Sequence, residues 1–185
     1  MNSFLDLARS RYSLRAYDTR IVEEDKIERC LEAARLSPSA CNAQPWKFTV
    51  VIGDATRAEL AKACLLRGSS LNLFVKDAPC IVAISGESPN ATSVLGSLIK
   101  RKKLFLLDIG MAAEHFCLQA AEEGLGSCML GWFDEGKVKR ILGVPRFKRV
   151  WLLIALGYPK EAGTLPEKKR KDLETISAFE GYSQD

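Results

Sequence analysis

Residues 38–46 read Pro38-Ser39-Ala40-Cys41-Asn42-Ala43-Gln44-Pro45-Trp46, a run of short, mostly polar side chains between two prolines. Each proline fixes its φ and has no N–H to donate, so the stretch resists helix and central strand alike and predicts a shaped loop. Asn42 and Gln44 each bring an acceptor and two donors. A flat heterocycle edged with carbonyls and ring N–H groups needs that mixture. Upstream, Arg11-Tyr12-Ser13-Leu14-Arg15 sets two guanidinium groups around one hydroxyl. In an extended segment Arg11, Ser13 and Arg15 share a side. Forked arginine donors fit phosphate oxygens, and the serine adds another donor. The same residues also suit a solvated surface turn.

These two segments need elements to hold them. Ile27, Cys30, Leu31 and Ala34 recur at helical spacing and predict an amphipathic helix over Glu23–Leu36. Lys47–Gly53 is rich in strand formers. Asp54 is a candidate N-cap for a helix running to Leu66. Cys80–Ser85 reads as a short buried strand, and Gly86–Ser97 as the most loop-like stretch of the chain. Leu104–Glu123 predicts a long helix, apolar nearly all round in its first half, which suits the centre of a domain or of a dimer. Ser127–Phe133 reads as strand or turn, Asp134–Leu142 as helix and Arg149–Leu156 as a strongly apolar strand. No internal repeat is present, and the one linker-like segment is the tail after Pro159.

Several familiar chemistries are not written here. Gly124-x-Gly126 is followed by Gly131, which misses the spacing of a dinucleotide fingerprint, and there is no phosphate loop of the Walker type. His115, the one histidine, falls within the predicted long helix, with no nucleophile elbow nearby, and reads as a helix-surface or core residue. The pairs Glu23-Glu24 and Glu122-Glu123 read as ordinary solvated charges. The six cysteines, Cys30, Cys41, Cys64, Cys80, Cys117 and Cys128, include no C-x-x-C pair, so no metal site is expected. Most lie in apolar surroundings and read as small core residues of a reducing cytoplasm. Cys41 differs, because it sits inside the polar run of the candidate ligand loop. Two basic clusters remain, Lys100–Lys103 and Lys168–Lys171, and each reads as a solvated face or tail.

At 185 residues, 47% hydrophobic, the chain fits one globular enzyme domain with a sizeable core. A net charge of +4 is too small to suggest nucleic-acid binding and suits anionic ligands. The first residues lack a signal peptide's apolar core, and no apolar run approaches the roughly 20 residues of a membrane span.

Together these residues resemble the nitroreductase family of flavin-dependent oxidoreductases. The likeness runs from Arg11–Arg15 through the helix ending at Leu36 to Ser37–Trp46. It continues in Asp77-Ala78-Pro79, Asp108-Ile109-Gly110, Gly124-Leu125-Gly126 and Gly157-Tyr158-Pro159, in the family's order. Ser37 departs from it, standing where alanine is usual.

The resemblance implies an α+β fold, a mixed sheet of four or five strands with helices on both faces, assembled as an intertwined homodimer with FMN in the interface. It divides the chain into an FMN-binding domain, residues 1–159, and an extension, 160–185, that packs on the partner and reaches the FMN phosphate. It assigns cofactor contacts to Arg11, Tyr12, Ser13, Arg15, Pro38, Ser39, Ala40, Asn42, Gln44, Leu130, Gly131, Lys168 and Arg170. Leu130 and Gly131 match the segment near flavin N5, Arg15 or a neighbouring cation offsets charge at N1/O2, and Lys168 and Arg170 complete the phosphate site.

The implied activity is ping-pong hydride transfer from NADH or NADPH to nitroaromatics, quinones or related small electron-poor acceptors. The flavin carries the chemistry and no protein acid or base is required. Dehalogenation, FMN fragmentation and a flavin-binding module with little turnover are the alternatives. Gly86–Ser97 and Lys100–Phe105 are expected to shape the substrate side.

Overall fold

The structure is a computed structural model that describes residues 3–65, 70–87, 103–161 and 165–182. Most of the Gly86–Ser97 loop and Lys100–Lys102 lie outside these residues. The described elements run α1 (Phe4–Ser10), α2 (Glu24–Arg35), β1 (Trp46–Val51), α3 (Asp54–Ala63), β2 (Cys80–Gly86), α4 (Leu104–Glu122), β3 (Gly126–Leu130), α5 (Glu135–Leu142), β4 (Val150–Gly157) and α6 (Leu173–Ile176). Short 3-10 turns cover Ala40–Asn42 and Leu73–Asp77.

The strands form one sheet in the order β1-β2-β4-β3. All three ladders are antiparallel, and among the described residues the mixed character expected of the sheet is limited to a single parallel bridge, Ser13–Ser127, at the β3 edge. Alternation along the central strands decides the layers. Ile81 and Ala83 of β2 and Leu153 and Ala155 of β4 join Leu60 and Val138 on the face covered by α3 and α5. Val82, Ile84, Ile154 and Leu156 join Ile27, Cys30, Ile109 and Phe116 on the face covered by α2 and α4. Burial on both faces explains why β2 and β4 read as continuous apolar runs.

The element expectations hold to within a few residues, with some corrections. Gly53, not Asp54, caps α3; Asp54 is the first helical residue and pairs with Arg57 three residues on. The helix α1 was not anticipated, although its capping box was legible: Ser3 Oγ accepts from the Asp6 amide at 3.2 Å and Asp6 accepts from the Ser3 amide at 3.1 Å. Glu23 and Glu123 are not merely solvated. Glu23 accepts the Tyr158 hydroxyl at 2.5 Å, and Glu123 takes the forked donors of Arg29 at 2.7 and 2.9 Å. By length and composition α4 would pass for a membrane span, contrary to the reading of apolar runs above. Here it packs against α2, β2 and β3, burying Asp108, Ile109, Ala112, Ala113, Phe116, Cys117 and Ala120.

Five cysteines are buried as expected, and Cys41 is exposed. Burial pushes the thiols of Cys30, Cys64, Cys80 and Cys117 up to about 12, so they stay protonated at neutral pH.

The segment carrying Arg11–Arg15 is docked by close approach. Gly126 and Gly157 face each other across the β3–β4 ladder. A Cβ on Gly126 would lie 2.3 Å from Leu14 Cδ2, and one on Gly157 would lie 2.5 Å from Pro79 Cδ. Leu14 N donates to Ser127 O at 3.1 Å. The buried Tyr17 hydroxyl shares its proton between Leu14 O at 2.9 Å and Ala155 O at 3.1 Å. Gly126→Ala is therefore expected to lift Leu14 off the sheet edge and cost about 1–3 kcal/mol, the usual range for overpacking. Chemical denaturation checks this; an unchanged midpoint would show that Leu14 yields freely.

Candidate functional site

Two stretches far apart in sequence meet at one cleft of about 370 Å³. It is lined by Arg11, Tyr12, Ser13 and Arg15 from the N-terminal segment and by Pro166 to Arg170 from the tail. Lys168 Nζ donates to Ala8 O at 2.5 Å, a contact spanning 160 positions, and holds the tail against α1. Arg170 Nη1 donates to Lys169 O at 2.8 Å. The Arg11 guanidinium is steadied by Glu114 of α4 at 3.1 Å, and Arg15 lies over the Phe74 ring at 5.9 Å. Partial burial, then repulsion from Arg11 and Arg170, holds the Lys168 ammonium below its ordinary pKa. An ammonium held down by neighbouring cations in a cleft is relieved by an anion. Arg11, Arg15, Lys168, Lys169 and Arg170 outnumber the one carboxylate of the lining, Glu167, and with the Ser13 and Tyr12 hydroxyls they fit a phosphate dianion.

The polar loop is also shaped as the prolines predict, but more tightly. Cys41, Asn42 and Gln44 have φ of 53°, 51° and 45°, left-handed values that side chains other than asparagine rarely accept. Local bonds close the turn: the Gln44 amide donates to Ser39 Oγ at 3.0 Å, and Gln44 Nε2 donates to Asn42 Oδ1 at 3.1 Å. Pro45 is fully buried behind it. Pro38, Asn42 and Gln44 are exposed, and Ser39 and Ala40 half-buried, so the loop presents its amide groups outward.

The long helix and the edge strand carry both halves of the site. On α4, Asp108 accepts the Ala40 amide at 3.1 Å, and Glu114 meets Arg11 six residues later. Six helical residues span about 9 Å. On β3, Ser127 bridges Ser13, and three residues on, about 10 Å away, Leu130 ends the strand. Gly131 follows, and a Cβ there would meet nothing within 4 Å. Asn72, itself buried, donates to Cys64 O at 3.2 Å and Trp132 O at 2.9 Å, which anchors the chain just beyond Gly131.

Every anticipated site residue is thus placed on one of three pieces: the basic cleft, the strained loop, or the end of β3. Asp108, Glu114 and Asn72 were not anticipated as parts of the site. Asp108 had a signal, as the one carboxylate in the run Leu104–Met111. His115 is an exposed helix residue, its Nδ1 2.8 Å from Met111 O.

The family model described as the nitroreductase family matches residues 8–72 and 66–158. The chain belongs to the nitroreductase family. An NADH dehydrogenase of Thermus thermophilus is 29% identical over 182 residues, covering 84% of this chain and 86% of its own. An iodotyrosine deiodinase of Haliscomenobacter hydrossis is 24% identical over 184 residues, covering 88% and 82%. Among solved structures, an FMN-dependent nitroreductase of Clostridium difficile R20291 superposes with a TM-score of 0.75 at 26% identity, covering 96% of this chain and 99% of that one. Nitroreductase-family membership accounts for the α+β sheet with helices on both faces and for the order in which the motifs occur.

Proposed function

We propose that the protein is an FMN-dependent oxidoreductase that takes its electrons from NADH or NADPH and reduces nitroaromatics, quinones or related electron-poor acceptors. The observation that carries this reading is the convergence of Arg11, Ser13 and Arg15 with Lys168 and Arg170 on one cleft. Bound FMN would supply the redox chemistry, accepting hydride from the nicotinamide and delivering it to the acceptor. Arg11, Ser13, Lys168 and Arg170 hold the phosphate. The backbone and amides of Pro38, Ser39, Ala40, Asn42 and Gln44 meet the edge of the ring system. Leu130 and Gly131 offer backbone beside the ring, where the open space over Gly131 lets a flat group approach. Arg15, on the same cleft, adds its forked donors to the phosphate. No side chain here is assigned as acid or base.

The working unit is a homodimer, with residues 160–185 extending from the 1–159 domain onto the partner. Leu107 on α4 is 63% exposed, and the tail's Phe179 and Tyr182 are 94% and 91% exposed. Large apolar groups so placed on one chain call for a covering surface.

The purified protein is expected to be yellow and to release FMN, because a single phosphate cluster without a dinucleotide fingerprint suits one phosphate and not a pyrophosphate. Chromatography of the released flavin checks this, and FAD as the dominant species would overturn it. Anaerobic titration with NADH and then NADPH reads the donor by bleaching of the flavin band. A second reading, reductive dehalogenation on the same site, is favoured by the likeness to the iodotyrosine deiodinase. Turnover of a halogenated phenol in preference to a nitroaromatic would select it.

A further inference from the structure

Asp108 sits on the second turn of α4 at 2% exposure, between Leu107 and Ile109. Its Oδ1 accepts the Ala40 amide at 3.1 Å. Its Oδ2 is buried and meets no hydrogen-bond donor among the described residues. Burying a carboxyl with one oxygen unpartnered works against folding. Packing alone therefore favours an apolar residue here, as at the neighbouring positions of the helix.

The loop that Asp108 holds is the most strained part of the described chain. Three non-glycine residues within Cys41–Gln44 have left-handed φ, and such backbone persists only where its surroundings over-determine it. The bonds from Ser39 to Gln44 and from Gln44 to Asn42 close the turn on itself. They do not fix it to the scaffold. The Asp108–Ala40 bond ties the entry of the turn to the helix that also carries the Arg11 partner, Glu114.

We propose that Asp108 is the positioning residue of the 39–44 loop, its bond to the Ala40 amide holding the turn in the shape that receives the edge of a flat heterocycle. This rests on the flavin reading above for the identity of that heterocycle. The role is to place other groups, and no contact between Asp108 and ligand is invoked. The ring is affected and the phosphate is not, so ligands with and without phosphate lose alike.

The test uses the full-length protein and two variants, Asp108→Leu and Asp108→Asn, titrated with FMN and with riboflavin. Asp108→Leu removes the acceptor at similar volume. It is expected to weaken both flavins by at least about tenfold and by the same factor, while the flavin-free protein melts no lower than the wild type. Asp108→Asn keeps an acceptor for Ala40 and is expected to restore binding to within about threefold. Amide hydrogen exchange reads the loop with no ligand present: protection at Ala40 should be lost in Asp108→Leu and kept in Asp108→Asn. Three results overturn the proposal. Wild-type affinity in Asp108→Leu is one. An Asp108→Asn defect as large as that of Asp108→Leu is another. An affinity loss matched by a fall in melting temperature, the mark of a merely structural residue, is the third. A wild type that binds neither flavin would sink the flavin reading, and exchange at Ala40 would still decide whether Asp108 holds the loop.

Discussion

Deleting residues 160–185 is expected to abolish both flavin binding and dimerisation. The deletion removes Lys168 and Arg170, two of the cations lining the basic cleft. It also breaks the contact from Lys168 to Ala8 that ties the tail to α1. Losing two charge-assisted donors from a phosphate site weakens binding by about 3–6 kcal/mol if the two are independent. The same segment carries Leu173, Ile176, Phe179 and Tyr182, all exposed on the single chain. If a partner buries them, their removal takes away the surface that holds the dimer. The remaining chain should sediment as a monomer, or fail to stay in solution, and should be colourless. A double variant, Lys168→Ala with Arg170→Ala, separates the two effects: it should lose flavin and keep the dimer. A truncated protein that stays dimeric and yellow would show that the tail neither swaps nor reaches the phosphate.

Arg11→Ala and Arg15→Ala should each weaken FMN binding by about 1.5–3 kcal/mol, roughly 10- to 150-fold in Kd, and leave riboflavin nearly unaffected. Riboflavin has the ring and the ribityl chain but no phosphate, so the comparison isolates the group that the arginines are proposed to hold. Arg11 is positioned for this by Glu114, whose carboxylate is about half exposed and is left solvated when Arg11 is removed. The flavin-free protein should therefore lose little stability from Arg11→Ala, as for other partly exposed pairs. Arg15→Ala also gives up a weak contact with the Phe74 ring. Isothermal titration with both ligands reads the difference. Equal losses for FMN and riboflavin would show that the arginines act on the ring or on the fold.

The amino-acid sequence by itself determined the elements and the residue types of the site, because both are local. The 3.6-residue recurrence of Ile27, Cys30, Leu31 and Ala34 requires no partner to be read as a helix, and it emerged as Glu24–Arg35. The two prolines at 38 and 45 disfavour helix interior and central strand, and the loop between them is irregular but for one 3-10 turn. Arginines and a serine in alternation announce an anion site or a surface turn, and nothing within five residues chooses between them.

The tertiary structure brings the arginines and the serine into a common cleft with the tail, Lys168 reaching α1 across 160 positions of chain. Lys168–Lys171 taken alone is a solvated tail cluster; only the fold sets Arg11, Ser13 and Arg15 opposite it. The same holds for Glu23 and Glu123, which look like surface charges until Tyr158 and Arg29 are placed beside them. Asp108 was visible as a carboxylate in an apolar helix, but its purpose depends on a loop wrapped onto that helix from residues 39–44. The left-handed backbone at Cys41 and Gln44 contradicts local preference outright. Local propensity sets which conformations are inexpensive, and only contacts between distant segments supply enough free energy to hold a costly one.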